Sequence, residues 1–292
     1  MHLIADRQGH RSEENSVQDR FLEILYGSTA GRLLLRPLVS PAFSKAGGAF
    51  LDSRASKFLI KPFVQRNGIC MKDYEKKDYS SYNDFFKRRM KKGVRMVDKS
   101  PDAFVSPCDS VLGVYKIDEE RTFFIKNTRY TTTGLLRNRE LAQSYTGGYI
   151  WVFRLRVQDY HRYIYVDEGR VSQTVRLPGI FHTVNPAAND RYPIYKENAR
   201  EYSVLYSEHF GPLLQMEVGA MLVGKIENRP GKKSVCRGEE KGNFAFGGST
   251  VILMTKRGAV CPDRDILGNS RRGIETQVKL GEHIGRQMRK KA

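Results

Sequence analysis

The chain has few cysteines, lacks long apolar runs and is short of acidic residues. Its four cysteines, Cys70, Cys108, Cys236 and Cys261, are far apart and form no Cys-x-x-Cys pair, which argues against a zinc site and favours reduced thiols in a cytoplasmic setting. No apolar run approaches the roughly 18 residues that a membrane-spanning helix requires. The polar segment 1–19 does not have the pattern of a secretory signal peptide.

The shortage of acids leaves a strong positive charge. Fifty Lys and Arg residues stand against 32 Asp and Glu residues, a formal net charge of +18. Such a charge predicts an anionic partner, which is nucleic acid, an anionic lipid or a phosphorylated substrate. The basic run 87–92 alone is typical either of nucleic-acid binding or, more commonly, of a solvated helix face.

The first quarter of the chain predicts helices rather than strands. Residues 1–18 are expected to be disordered or loosely attached. From Arg20 to Arg66, apolar residues recur at helical spacing, prolines break the pattern into short helices, and basic residues outnumber acids. Such helices either lie in the headgroup region of an anionic membrane or form a subdomain that packs on the core. Further on, Ser81 is expected to cap a short helix that holds Phe85 and Phe86.

Beyond about residue 104 the pattern is β-rich. Apolar and β-branched runs predict strands at 112–117, 149–157, 163–166, 171–177, 202–206, 213–218, 221–226 and 250–254. Only Thr133–Ser144 has a helical pattern in this part, and 277–291 is expected to be a helix or a tail. The sequence therefore predicts the α+β class. A basic helical region (1–68), a candidate for membrane association, is expected to precede a β-rich domain (69–292).

The stretch from Asn243 to Met254 places two glycines and a serine just before a buried strand. Glycine reaches backbone conformations that other residues resist, so Ser249 is expected on a tight corner. One interpretation is a turn or β-bulge. The other is that the Gly248–Ser249 bond is reactive. The serine hydroxyl attacks the preceding carbonyl to form an ester, whose elimination breaks the chain and leaves dehydroalanine, which hydrolyses to a pyruvoyl group.

A reactive serine needs a base, and the sequence offers Asp109, His161 and Ser249 in an order that suits a relay. In such a relay the histidine takes the serine proton and the aspartate orients the imidazole. The alternatives are that Asp109 is a turn residue after Pro107 and that His161 is a half-buried structural histidine.

Several strings resemble the phosphatidylserine decarboxylase family in content and order. The string 246–250 is similar to its self-cleavage motif, with Gly247 where many members have leucine. Ser106-Pro-Cys-Asp109 is similar to a second block, with Ser110 in place of glycine. The other blocks are Asp159-Tyr-His-Arg162, then 211–226, and Gly238–Phe244, so the resemblance covers roughly residues 70–285.

The resemblance implies a pyruvoyl-dependent enzyme made as a proenzyme. Cleavage between Gly248 and Ser249 gives a β chain (1–248) and an α chain (249–292), which form a heterodimer. The pyruvoyl group made from Ser249 forms a Schiff base with phosphatidylserine, and the products are phosphatidylethanolamine and CO2. His161 is expected to act as a proton donor near the reacting centre. No metal is needed.

The same resemblance implies an anionic phospholipid membrane as partner, a peripheral location on the cytoplasmic side of the cell membrane, and no nucleic acid. Two other functions remain as alternatives. The first is a basic nucleic-acid-binding module, which the net charge and the run 87–92 favour. The second is a non-catalytic membrane-surface protein that uses only its N-terminal helices, which leaves the string 159–162 unexplained.

The histidines depart from the family pattern. Many members have His-Arg-x-His, with the first histidine linked to decarboxylation and the second to self-cleavage. Here Ile164 stands at the second position. Either His161 serves both steps or another histidine replaces the missing one, and His182 is the best candidate because it lies among apolar residues. His209 is expected in an exposed loop.

Overall fold

The computed structural model describes residues 2–14, 25–26, 28, 35, 37–125, 128–184, 193–220, 226–229, 233–245 and 249–288. These residues form short helices and one large β-sheet, which confirms the α+β class. Among the helices of these ranges, none is long and apolar enough to cross a bilayer.

The helices are short, and four of the seven described α-helices begin at a side-chain N-cap. Ser81 caps one of them, with its Oγ accepting from the backbone N–H of Asp84 at 3.1 Å, as predicted. The helix predicted at 133–144 is two helices, because Arg137 takes a left-handed φ of 49° and ends the first. The α-helices are α1 (Pro41–Asp52), α2 (Ile60–Arg66), α3 (Tyr82–Phe86), α4 (Thr132–Leu136), α5 (Arg139–Gln143), α6 (Ile194–Glu197) and α7 (Arg264–Arg271), and the 3₁₀ turns are Arg54–Leu59 and Met71–Asp73.

Most of the predicted strands are present. The strands are β1 (His2–Ala5), β2 (Arg11–Glu14), β3 (Ala103–Val105), β4 (Ser110–Lys116), β5 (Thr122–Ile125), β6 (Thr128–Thr131), β7 (Tyr149–Leu155), β8 (Arg162–Ile164), β9 (Gly169–Val171), β10 (Val175–Leu177), β11 (Arg200–Ser207), β12 (Gly211–Val218), β13 (Ile226–Asn228), β14 (Ser234–Val235), β15 (Glu240–Phe244), β16 (Ser249–Thr255), β17 (Val260–Pro262), β18 (Glu275–Val278) and β19 (His283–Gln287). The strand predicted at 171–177 is two short strands, β9 and β10. Residues 221–225 of another predicted strand lie outside the described residues.

Eleven strands form the main sheet, in the order β14-β9-β11-β12-β16-β7-β4-β18-β1-β2, with β10 paired to β11. The strand that begins at Ser249 lies at the centre, between β12 and β7, and both pairings are antiparallel. Three smaller sheets have the orders β13-β15-β8, β17-β19-β3 and β5-β6. The strand predicted to begin at the cleavage site is therefore surrounded by other strands on both sides.

The central strand divides the hydrophobic core into two layers. Successive side chains of a strand point to opposite faces of the sheet. Ile252 and Met254 accordingly join one buried cluster, while Val251 and Leu253 join the other. Ser249 is two residues before Val251, so its side chain belongs to the second face.

Two expectations for the chain ends were wrong. The segment predicted as disordered, 1–18, contains the hairpin β1–β2, and β1 pairs in parallel with β18. The segment predicted as a helix or tail, 277–291, contains the end of β18 and all of β19. Local composition misled because β1 joins the main sheet through β18 and β19 pairs with β3, both of which lie far away in sequence. Polar residues are also tolerated near the edges of a sheet.

The predicted N-terminal helices are present from Pro41 to Arg66 and pack against α3. Leu51 lies in a buried cluster with Phe85 and Phe86, and Phe63 packs against it. This cluster joins residues on both sides of position 68, where the domain boundary was predicted. Residues 20–24 of the predicted helical region lie outside the described residues. Packing on the core accounts for one face of these helices, and other side chains remain exposed.

Candidate active site

Ser249 begins the central strand with its side chain fully buried. It lies opposite Leu155, the last residue of β7. Within the described ranges, its Oγ has no hydrogen-bond partner. A buried polar group without a partner costs stability and requires an explanation, such as a chemical role. Phe246, Gly247 and Gly248, which complete the predicted cleavage motif, lie outside the described residues.

His161 lies just before β8 and is buried against an aromatic ring. Its ring centroid is 4.2 Å from that of Phe86. Its Nδ1 lies 2.9 Å from the backbone oxygen of Asp159. A carbonyl oxygen only accepts, so Nδ1 carries the proton and Nε2 is the nitrogen that accepts one in the neutral ring. The backbone oxygen of His161 also accepts from the N–H of Phe244, five residues before Ser249.

Asp109 immediately precedes β4 and is buried in an ion pair. Arg95 donates to its carboxylate from Nε at 2.9 Å and from Nη2 at 2.6 Å. The backbone N–H of Leu280 donates to Oδ1 at 2.8 Å. The structure thus places the predicted relay aspartate in contact with an arginine that the sequence analysis did not single out.

Ser249 and Asp109 lie at the same edge of the main sheet, where their strands begin, and a backbone hydrogen bond links the segment of His161 to that of Asp109. Strand β7 ends at Leu155, and its neighbours β16 and β4 both begin there because they run antiparallel to it. Ser249 and Asp109 therefore lie at the same end of β16 and β4. These two strands flank β7, so they are two interstrand distances apart, about 10 Å. The N–H of Ile164 donates to the backbone oxygen of Pro107 at 3.0 Å, which ties β8, just after His161, to the segment of Asp109.

His182 has a separate set of partners. Its Nδ1 lies 3.2 Å from the hydroxyl of Tyr26, and its Nε2 lies 3.2 Å from a carboxylate oxygen of Glu197. Burial lowers the pKa of His182, although Glu197 acts in the opposite direction. Asn198 donates to the backbone oxygens of both His182 and Gly219, and Gly219 directly follows the strand beside β16. The structure therefore links His182 to the neighbour of the Ser249 strand through Asn198.

His209, expected in an exposed loop, is half-buried. Its Nδ1 lies 3.0 Å from the buried carboxylate of Asp167, which also accepts from Arg237. The expectation was wrong because this aspartate, in the turn before β9, is brought to the histidine by tertiary structure.

A cleft of about 600 Å³ opens beside His161. Its lining includes Arg162, the next residue in the chain, and Asn243, which precedes Phe244. Six basic side chains line it, namely Lys77, Lys87, Arg88, Arg89, Arg162 and Arg229, against four carboxylates. The cleft therefore has an excess of positive charge, and one of its lining residues, Arg162, directly follows His161 in the chain.

A buried ion pair near the site was also missed from sequence. Lys241 Nζ lies 2.6 Å from both carboxylate oxygens of Glu217, and both side chains are buried. Glu217 lies opposite Val251, so the pair is on the same face as Ser249.

Lys241 is the extra residue of a β-bulge between β15 and β8, and the bulge changes the direction of its side chain. Burial raises the pKa of Glu217, and Lys241 opposes that shift. The one available signal was an acidic residue inside the mostly apolar strand 213–218.

The comparisons with known proteins agree with one another. The profile of a family described as "Phosphatidylserine decarboxylase" matches residues 82–286. The chain is 43% identical over 273 residues to "Phosphatidylserine decarboxylase proenzyme 2" of Clostridium acetobutylicum, covering 93% of this chain and 94% of that protein. It is 35% identical over 288 residues to a phosphatidylserine decarboxylase proenzyme of Fusobacterium nucleatum, covering 97% of this chain and 96% of that protein.

Proposed function

The chain belongs to the phosphatidylserine decarboxylase family, and from that premise we propose that it is a proenzyme that cleaves itself at Gly248–Ser249 and converts phosphatidylserine to phosphatidylethanolamine and CO2. The observation that carries the proposal is the buried Ser249 Oγ, which has no hydrogen-bond partner within the described residues and begins the central strand. A hydroxyl committed to a structural hydrogen bond would be less able to attack a carbonyl.

In the self-cleavage, Ser249 Oγ bonds to the carbonyl carbon of Gly248 while the C–N bond between Gly248 and Ser249 breaks. The hydroxyl proton passes to the freed amino nitrogen of Ser249, so the peptide bond becomes an ester. Loss of the serine α-proton then eliminates the Gly248 carboxylate and leaves dehydroalanine, which takes up water and releases ammonia. His161 is the proposed base, since its Nδ1 is fixed by Asp159 and its Nε2 accepts a proton. Asp109, fixed by Arg95, is the proposed charged partner of that histidine.

The residues present fit a pyruvoyl group made from Ser249. The side chain is enclosed at a sheet edge, its oxygen makes no competing hydrogen bond within the described ranges, and the cationic cleft adjoins the edge. When formed, the pyruvoyl carbonyl supplies the electron sink for loss of CO2 from an amino acid. His161 is the proposed donor of the proton that replaces the carboxylate in the product.

The N-terminal helices supply a surface that fits an anionic membrane. Phe43, Phe50 and Phe58 are exposed there. The basic residues Lys45, Arg54 and Lys61 are exposed in the same helical stretch. We call these six residues the basic-aromatic surface. Aromatic rings that enter the interface, beside cations that meet anionic headgroups, suit a peripheral protein on the cytoplasmic side of the cell membrane.

The two chains expected after cleavage remain interleaved in the fold. The segment 249–288 contributes β16 to the centre of the main sheet and β18 between β4 and β1. Separating the α chain from the β chain would therefore break the sheet at two places. This supports a stable heterodimer as the mature form.

The mass of the purified protein under denaturing conditions, with CO2 release from phosphatidylserine vesicles, tests the proposal. We expect a fragment of residues 249–292 whose first residue has the mass of a pyruvoyl group. An intact chain that releases no CO2 would contradict the proposal.

A further inference from the structure

Arg88 is a buried cation that the proposed chemistry has not used. Its side chain is 2% exposed and lines the cleft beside His161. The guanidinium lies over the ring of Tyr74 at 4.6 Å and over that of Phe85 at 5.0 Å. These rings fix its position and contribute cation–π attraction.

The guanidinium lacks a carboxylate partner in the part of the chain that the structure describes. Neither Nε nor Nη1 has a hydrogen-bond partner there, and Nη2 makes only two long contacts, at 3.4 Å, to the hydroxyl of Tyr74 and the backbone oxygen of Gln158. A buried charge without a counter-ion is costly unless a ligand supplies the missing group.

The carboxylates of the cleft are committed elsewhere. Asp84 pairs with Lys77, and Glu227 pairs with Lys87. Glu240 pairs with both Arg162 and Arg229. The fourth acidic side chain, Glu75, is exposed. The cleft therefore holds one buried guanidinium with donors to spare, which is the feature an incoming anion would meet.

Arg88 is also close to the proposed reacting residue. Gln158, which accepts from its Nη2, lies in the same loop as His161. Phe86, two residues earlier, packs on the His161 ring. The backbone oxygen of Arg88 accepts from Arg162 Nε at 3.3 Å. A small anionic headgroup that entered the cleft would meet this guanidinium, whose neighbour Phe86 contacts the His161 ring.

We propose that Arg88 binds the phosphodiester of the phospholipid headgroup, an inference that rests on the proposed function for the identity of the substrate. Phosphatidylserine offers two anions, a phosphodiester and a carboxylate. A cation on the carboxylate would stabilise the substrate more than the transition state, in which that charge leaves as CO2. The phosphodiester is unchanged by the reaction, and its oxygens match the fork of a guanidinium.

The test uses soluble probes on the full-length chain. Glycerophosphocholine carries the phosphodiester without an amine or a carboxylate, and N-acetylserine carries the carboxylate without a phosphate. Binding is measured by calorimetry in the Ser249→Ala background, which needs no cofactor. We expect Arg88→Met to weaken glycerophosphocholine binding by on the order of 10- to 100-fold. The affinity of Arg88→Lys should lie between those of the chain with native Arg88 and of Arg88→Met. Arg170→Met, at an exposed arginine outside the cleft, is the matched control.

The same variants with Ser249 intact give a kinetic readout. We expect the KM for phosphatidylserine to rise in Arg88→Met, with self-cleavage still visible by mass. Unchanged glycerophosphocholine binding would overturn the proposal, and so would a loss of N-acetylserine binding alone. If the chain with native Ser249 neither cleaves nor releases CO2, the proposed function fails. Phosphodiester binding in the Ser249→Ala background still decides the role of Arg88.

Discussion

Arg95 and Asp109 form a two-pronged ion pair in which Nε and Nη2 of the guanidinium reach the carboxylate at 2.9 and 2.6 Å. The aspartate side chain is largely buried, so the pair fixes both its charge and its orientation. If Asp109 supports His161 in self-cleavage, Arg95 acts through it as a positioning residue.

We expect Asp109→Asn to slow self-cleavage by on the order of 10-fold or more, because the amide has the same shape but no charge to stabilise an imidazolium. Arg95→Lys, which keeps a charge but loses the fork, should slow it less. The measurement is the half-time for loss of the intact chain by mass spectrometry. Cleavage of Asp109→Asn at the native rate would remove this aspartate from the relay.

A stability measurement separates the effect of the Arg95–Asp109 pair on folding from its effect on self-cleavage. In the uncut Ser249→Ala background, Arg95→Met should lower the free energy of unfolding by about 3 kcal/mol, because it leaves a buried carboxylate without its partner. Asp109→Asn, which keeps an acceptor for the N–H of Leu280, should cost less.

Ser249 itself provides the second prediction. Ser249→Ala should remain one chain of 292 residues and release no CO2, because no hydroxyl remains to attack Gly248. Ser249→Cys, which keeps a nucleophile, should still cut to some extent. Normal cleavage of the alanine variant would show that the reactive bond lies elsewhere. Resistance of the native enzyme to borohydride would argue against a carbonyl cofactor.

The sequence predicted the parts of the site that depend on local patterns. Apolar runs located β7, β12 and β16, and the short strings indicated Asp109 and Ser249, which the fold brings to one edge of the sheet, together with His161. The role of Arg88 was not predicted, because a basic run looks alike whether its side chains are solvated or buried. The role of Arg95, which lies after that run, was not predicted because its partner Asp109 is brought to it by the fold. Burial is decided by packing against Tyr74 and Phe85, which no local pattern reveals.

Contacts between residues far apart in sequence were the second feature that the sequence did not predict. The sequence of the hairpin β1–β2 is polar and of mixed charge, which is typical of a tail. Its place in the sheet depends on pairing with β18, more than 260 residues later. The Lys241–Glu217 pair likewise needs a bulge in one small sheet and an inward position on the main sheet. Short-range propensities carry no information on such contacts.

The hairpin gives the third prediction, since Arg7 joins the chain start to the segment after the cleavage site. Its guanidinium pairs with Asp263 at 2.7 Å and with Asp265 at 2.6 Å, and it also donates to the backbone oxygen of His283. We expect Arg7→Ala to lower the free energy of unfolding of the cleaved protein by about 1–3 kcal/mol. Arg11→Ala, on the exposed strand β2, should change it little. Urea unfolding of both variants measures the difference.

The basic-aromatic surface gives the fourth prediction. Phe58 is 67% exposed, so Phe58→Ser should weaken binding to vesicles containing phosphatidylserine without lowering stability. Phe124→Ser, at a phenylalanine that is 54% exposed on β5, is the matched control. Binding should also fall with added salt, since exposed charges are screened. Co-sedimentation that changes equally in both variants would show that the helices serve packing only.

The fifth prediction assigns the histidines, and pH separates them. Burial lowers the pKa of His182 below its usual 6.5 in the folded state. A group of this kind favours folding when neutral. Its contribution is complete above the unfolded pKa and is lost as pH falls through the folded value. The native protein should therefore lose stability on acidification below about pH 6.5. His182→Gln should flatten that part of the profile while still cleaving and releasing CO2.

His161 should behave differently because it lies at the reactive edge. Its Nδ1 is held by the backbone oxygen of Asp159 and its own backbone oxygen by the N–H of Phe244, and Nε2 is the nitrogen that we propose serves both the cleavage and the later proton transfer. We expect His161→Ala to remain uncut, and His209→Ala, a half-buried histidine away from this edge, to cleave normally. If His182 has taken over one step, then of His161→Ala and His182→Gln one will be blocked in cleavage and the other will be cut but inactive. A His161→Ala protein that cleaves and releases CO2 at native rates would contradict both assignments, because the base would then have to come from another residue.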